Sequence, residues 1–158
     1  MMLWLVLMIV FLFVFKQISR LRLSKRDRQL QALREAATHA GLLVRFWTLR
    51  ASGYRLCGLP ESGFSYVLRW PPKYTPAEYW GLWLSATGEI QKLAGTPSVL
   101  AYEWLESFHL RFAGGWALLD ISDAGIALLW QERGTKEDVA DLAVALDNLM
   151  KTIVKTIK

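Results

Sequence analysis

The side chains able to do chemistry are few and far apart. The 158 residues include two histidines, His39 and His109, one cysteine, Cys57, and fourteen carboxylates. Catalytic and metal centres need such groups in fixed combinations: a base beside its nucleophile, or three to four ligands around an ion. No Cys-x-x-Cys, His-Glu-x-x-His, Gly-x-Ser-x-Gly or P-loop pattern occurs in the sequence. His39 and His109 each fall near the end of a segment with helical periodicity, where a cation complements the helix dipole. Cys57 sits in a short strand-like run, the usual setting of an inert buried thiol. Two carboxylate pairs have acid/base spacing: Glu103 with Glu106, three apart on a helix, and Asp120 with Asp123, flanking a hairpin turn. Solvated carboxylates are ordinary at both places. Gly114-Gly115 precedes a strand rather than opening a helix, which makes it a turn and not a phosphate cradle. These residues point away from an enzyme and imply no metal and no cofactor.

Binding chemistry is better represented. Seven of the eight tryptophans lie between Trp47 and Trp130. Trp70, Tyr74, Tyr79, Trp80 and Trp83 fall within fourteen positions, interleaved with Pro71, Pro72 and Pro76. Aromatic anchors on a rigid loop are the material of interface hot spots. This cluster is the expected contact for a protein partner, with the exposed side of the last helix as second choice. The competing reading is that the same residues simply fill the two faces of a sheet. Stacking on single-stranded nucleic acid needs more adjacent cations than Arg69 and Lys73.

The distribution of charge supports that exclusion. The chain has a net charge of +5 and a pI near 9.5. Residues 1–50 hold nine Lys/Arg against Asp27 and Glu35, whereas residues 51–158 hold ten against twelve carboxylates. The basicity belongs to one segment. The remainder is close to neutral and offers no phosphate-binding surface, so nucleic acid is not an expected partner.

That segment follows an uncharged run, MMLWLVLMIVFLFVF, at residues 1–15. Lys16, Arg20, Arg22, Lys25, Arg26 and Arg28 come directly after it. An all-round apolar helix abutting a cationic collar reads as a membrane anchor over residues 1–18 and a basic juxtamembrane neck over 19–41. Eighteen residues at 1.5 Å each span about 27 Å, thin against roughly 30 Å of hydrocarbon but workable with snorkelling. A secretory signal peptide fits less well: no basic residue precedes the run, and no Ala-x-Ala follows it. The collar either contacts lipid headgroups or only sets topology. The cationic flank marks the cytoplasmic side, placing the N-terminus outside and the rest within the cell, bound to the inner membrane. The single cysteine agrees with a reducing compartment.

The elements that must position the aromatic cluster follow from periodicity. Leu30, Leu33, Ala37 and Ala40 extend a helix from Lys16 to Ala40, which Gly41 ends. Strands are expected at Leu42–Leu49, Tyr54–Cys57, Phe64–Trp70, Tyr79–Ser85, Glu89–Leu93, Trp116–Ile121 and Ile126–Gln131. Thr96-Pro97 opens one helix and Thr135 caps another, the latter with a strong apolar stripe from Val139 to Ile153. Residues 42–158 thus read as one α+β domain: a mostly antiparallel six- or seven-stranded sheet with two helices, or a small, partly closed barrel capped by the last helix. The expected protein is a single-pass membrane protein whose cytoplasmic domain binds a protein partner as an accessory subunit of a membrane complex, with self-association left open. The alternative is a membrane-tethered domain holding a lipid or small ligand in a tryptophan-lined apolar pocket.

Overall fold

Strand periodicity resolves into six strands in the computed structural model, which describes residues 4, 8, 10–14, 16, 24–54, 58–111 and 115–156. They are β1 (Leu43–Thr48), β2 (Ser62–Leu68), β3 (Trp80–Leu84), β4 (Ile90–Ala94), β5 (Ala117–Ser122) and β6 (Gly125–Trp130). From Lys25 onward the described residues also form four helices: α1 (Lys25–His39), α2 (Leu49–Ser52), α3 (Val99–Arg111) and α4 (Lys136–Thr156). The chain forms two compact units, residues 1–31 and 32–158.

In the first unit, the described residues between Trp4 and Lys16 are helical, and the apolar ones among them are exposed. No helix among the described residues is long and apolar enough to cross a membrane. The remainder of the expected 1–18 anchor, with Arg20 and Arg22 of the collar, lies outside the described residues. The neck departs from the expected unbroken helix, because Ser24 is non-helical and starts α1 afresh. Its hydroxyl accepts from the Asp27 amide at 3.1 Å, while the Asp27 carboxylate accepts from the Ser24 amide at 3.1 Å and hydroxyl at 2.7 Å. This capping box holds the Asp27 carboxyl below its ordinary value through the Ser24 hydrogen bonds. The carboxylate also offsets Lys25, Arg26 and Arg28, three exposed cations at the helix end where positive charge is unfavourable.

In the second unit, α1 ends as its sequence predicts. Gly41 is left-handed at φ 84°, the Leu42 amide donates to Ala37 O at 2.9 Å, and that of Gly41 to Thr38 O at 3.1 Å. Leu42 closes over the buried Leu33 and Ala37 turn.

The sheet order is β1-β2-β6-β5-β3-β4, antiparallel throughout. Two early hairpins, β1–β2 and β3–β4, form the flanks, and the late hairpin β5–β6 fills the centre. It is an open sheet, with β1 and β4 as edges, rather than a closed barrel. Six strands are present among the described residues. The expected seventh, Tyr54–Cys57, is not one at Tyr54, and Cys57 lies outside the described residues. The end of the expected first strand folds instead into α2, where Ser52 Oγ bonds back to Leu49 O at 2.8 Å.

Pairing register sorts the side chains. Tyr66, Leu128, Leu119 and Leu82 lie across one another on one face, whereas Ser65, Leu129, Leu118 and Trp83 share the other. Helices cover the first face: Phe108 of α3 packs edge-on to Trp130, Trp104 stacks on Phe108, and its indole donates to Ala145 O of α4. The second face carries a separate core of Leu59, Trp83, Leu118 and Leu129, against which Trp47, Leu49, Tyr54 and Trp116 pack. Thr135 and Asp138 form the expected capping box of α4. The start of α3 differs from expectation. Its cap position is Ser98, whose carbonyl accepts from Ala101 N at 3.0 Å, while Thr96 turns aside to Glu78.

Residues 32–40 are held to the sheet by a polar network. Arg34 donates twice to Glu132, at 2.9 and 2.7 Å, and lies 3.6 Å over the Phe64 ring; Tyr66 donates to the same carboxylate at 2.7 Å. Burial, and then the Glu132 carboxylate, push the Tyr66 hydroxyl well above its usual range. Arg34→Met leaves Glu132 nearly buried with only Tyr66 as partner, and is expected to lower stability by about 2 kcal/mol. Urea unfolding of that variant, of Glu132→Gln and of the double variant measures the pair directly. Additive losses would show that the two side chains act independently.

Candidate functional site

The connection from β2 to β3, residues 69–79, carries the proline–aromatic cluster, and its own chemistry makes it rigid. Pro71 O accepts from Tyr74 N at 3.1 Å, closing a turn with Pro72 at the second position. Lys73, third in that turn, has φ 69°, a place where glycine is usual. With Glu132 it is one of two non-glycine residues in the left-handed region among the described residues, a conformation that costs on the order of 1 kcal/mol. The rings of Trp70 and Tyr74 meet at 4.8 Å, and Pro76 is buried.

The loop is stapled at both ends to the β5–β6 turn. Trp70 Nε1 donates to Ser122 O at 2.7 Å, and the Tyr79 hydroxyl donates to Asp123. The Asp123 bond raises the Tyr79 hydroxyl above its ordinary value. A third tie joins Thr96 Oγ1 to Glu78 at 3.2 Å. Gly95 makes this approach feasible: with φ 64°, a Cβ there would run into the backbone of Tyr79 and Trp80.

The five aromatic residues expected to bind a partner are therefore divided. Trp70 and Tyr74 are half-buried in the loop, and Tyr79 is 51 % exposed. Trp80 and Trp83 are only 6 % and 5 % exposed, and they are not a surface. Trp80 points to the helix face. Trp83 points to the other, 5.6 Å from Trp116 in the second core. An all-apolar strand covered on both faces by its own chain uses these two rings internally. The rim gains side chains that periodicity did not single out: Val99, 73 % exposed, and Leu100. The signal was present, because both are apolar yet lie off the stripe of Ala101, Leu105 and Phe108.

Behind the rim, the loop, the start of α3 and the end of α4 enclose a cleft of about 270 Å³. Tyr74, Pro76, Trp80, Leu100, Ile121 and Ile153 form its apolar wall, with Glu78 and Thr96 at the polar side. The Tyr74 hydroxyl is buried with no hydrogen-bond partner among the described residues, and burial raises it above its ordinary value.

The residues that could have been catalytic are dispersed. His39 is exposed at the end of α1, His109 lies in the last turn of α3, and Glu103 and Glu106 face solvent. Asp120 and Asp123 do not pair; each takes a tyrosine hydroxyl, Asp123 from Tyr79 and Asp120 from Tyr54 at 2.5 Å. No group of three His, Cys, Asp or Glu able to hold a metal occurs among the described residues. The second-choice surface, the outer side of α4, presents Val144 among polar residues, with an Asp147–Lys151 ion pair at 2.5 Å.

No family model, no curated protein and no solved structure matches this chain.

Asp120 has a measurable signature. Burial raises its carboxyl above the ordinary value of 3.8, and the Tyr54 bond only partly opposes this. Between those two values the folded chain keeps a proton that the unfolded chain has lost, so stability falls as pH rises through that window. Asp120→Asn retains an acceptor for Tyr54 but cannot ionise. Its urea midpoint is expected to equal the parent's below about pH 3.8, to exceed it at neutral pH, and to vary less between. A parent that gains on the variant as pH rises would mean that the carboxylate is stabilised as an anion.

Proposed function

We propose that this chain is a single-pass inner-membrane protein that acts by binding a protein partner, as an accessory subunit of a membrane complex. The apolar run at residues 1–15, continued to residue 18, is its anchor. The collar of Lys16, Arg20, Arg22, Lys25, Arg26 and Arg28 lies at the cytoplasmic headgroups, and the α+β domain works inside the cell. Support for the anchor comes from the uncharged sequence and from the exposure of Trp4, Met8 and the residues from Val10 to Val14, whose burial in water-free surroundings is favourable. Support for orientation comes from the basic flank alone.

The observation that carries the partner reading is the stapled loop. A binding surface loses affinity to every side chain that must be ordered on docking. Here the turn at Pro71–Tyr74, the Trp70–Ser122 bond and the Tyr79–Asp123 bond fix the rim beforehand. Tyr79, Val99 and Leu100 then present apolar area beside it. The near-neutral charge of the domain suits a protein surface better than a nucleic acid.

Two experiments test the reading. A photo-crosslinking amino acid at Tyr79 or Val99, irradiated in intact membranes, is expected to give one discrete adduct that the same group at Lys92, on the β4 edge, does not. Trp70→Ala should reduce that adduct several-fold. Equal yields at all three positions would dismiss the rim as a contact. For orientation, an impermeant maleimide should label Lys92→Cys in a Cys57→Ser background only after the membrane is opened.

A further inference from the structure

The sheet is open, and its two edges differ. An edge strand turns the N–H and C=O of alternate residues outward, where another strand can take them. β4 is guarded twice: its pairing with β3 is irregular at Gly81/Leu82, and Lys92 stands exposed in its middle. β1 has neither device. Its six residues pair with β2 without interruption, from Leu43↔Val67 to Thr48↔Ser62, and no proline lies among them. Phe46, near its centre, is 64 % exposed. We infer that β1 is a dimer edge: it pairs antiparallel with β1 of a second copy, joining two six-stranded sheets into one.

The side chains of the strand point to a second copy and fix the register. Identical edges meet antiparallel about a two-fold axis perpendicular to the sheet, which keeps like faces together. Residues that face each other then share a face, so their numbers sum to an even value. Two such registers pair most of β1. One, centred on Arg45, sets that cation opposite itself, and like charges directly opposite are unfavourable. The other, centred on Phe46, joins Val44–Thr48 of the two copies. It sets Phe46 opposite Phe46 and Arg45 opposite Trp47. Phe46 already meets the Phe64 ring edge-on at 5.5 Å on the helix face, and there gains its counterpart. On the opposite face the exposed Arg45 guanidinium gains an indole.

The symmetry also suits the path of the chain. Arg34 lies over Phe64 and shares Glu132 with Tyr66, so residues 32–40 run on the helix face. The two-fold leaves them on the same side in both copies, as two chains rooted in one bilayer require. The pairing itself depends neither on that anchoring nor on the rim. One short strand pair is a small interface, of the size that associates weakly and with a dependence on concentration.

The test uses the full-length chain in phosphatidylcholine vesicles, in a Cys57→Ser background, with copper–phenanthroline as oxidant. Phe46→Cys is expected to give a disulfide-linked dimer, because the two positions face each other. Arg45→Cys, offset from its own copy by two residues, and Lys92→Cys, on the β4 edge, are expected to give roughly fivefold less. A chain carrying both Val44→Cys and Thr48→Cys, which face each other across the axis, should also link while keeping the Phe46 ring. Adding Phe46→Lys to that chain sets two cations opposite and should cut the yield about threefold or more. A dimer linked through Arg45→Cys in preference to Phe46→Cys would overturn the register and the proposal with it. So would equal yields at the three single positions, or linkage of the double variant unchanged by Phe46→Lys. In intact membranes, a Phe46→Cys adduct with a mass other than twice that of the chain would assign the edge to a different protein and overturn it too.

Discussion

The organising constraint is a sheet whose middle is apolar on both faces. In β3 every residue is buried, and β5 and β6 are nearly so. Such strands must be covered twice, because an exposed face of that size would associate with anything apolar. Helices cover one side. The other is covered by the β1–β2 connection, where α2, Tyr54 and Leu59 pack over Trp83, Leu118 and Leu129. The tryptophan content follows from this. Two cores on one sheet require large side chains facing both ways, and most of the rings that seem free in the sequence are consumed there.

Two sets of polar groups drawn into these cores are paired, and their pairing ties distant parts of the chain together. Tyr54 stands over Gly81, where an added Cβ would lie 2.5 Å from its hydroxyl, and donates to Asp120. That contact adds a polar tie to the packing of Leu49 and Leu59, which hold the covering segment over the second face. Arg34, Tyr66 and Glu132 do the same on the first face, joining positions 98 residues apart at the end of β6. Glu132 reaches its partners from a left-handed backbone, φ 50°, a costly conformation that the charge-assisted bonds from Arg34 and Tyr66 help to offset.

Local signals were the legible part. All six strands fall within about two residues of where alternation and turn residues place them. Gly41, Thr135 and the Ser122–Gly125 turn do what their residue types imply. Strand order was not legible, since an alternating strand records which side is dry but not which neighbour it meets. Leu49, expected to end the first strand, opens α2 instead, and a four-residue helix is too short to show a period. The candidate site was legible only in part. Proline spacing marked the loop, yet whether Trp80 and Trp83 were surface or core depended on the hairpin beside them, more than thirty positions later. The tyrosine–carboxylate pairs were invisible for the same reason: the partners are 44 to 66 residues apart.

The order of the strands also has a bearing on how the chain is made. The hairpin that joins the two flanks is encoded at residues 117–130, after both of them. Until the ribosome has delivered it, β1–β2 and β3–β4 have no common neighbour, and isolated hairpins are marginal in water. From the end of β4 at Ala94 until β6 ends at Trp130, the nascent polypeptide therefore carries two unfinished halves, with Trp80 and Trp83 lacking the strand that covers them. Completion of the sheet is a late, long-range closure, slow by its topology. Any factor that shields apolar surface at the exit tunnel would find its natural window here, before the final hairpin slots in as the keystone.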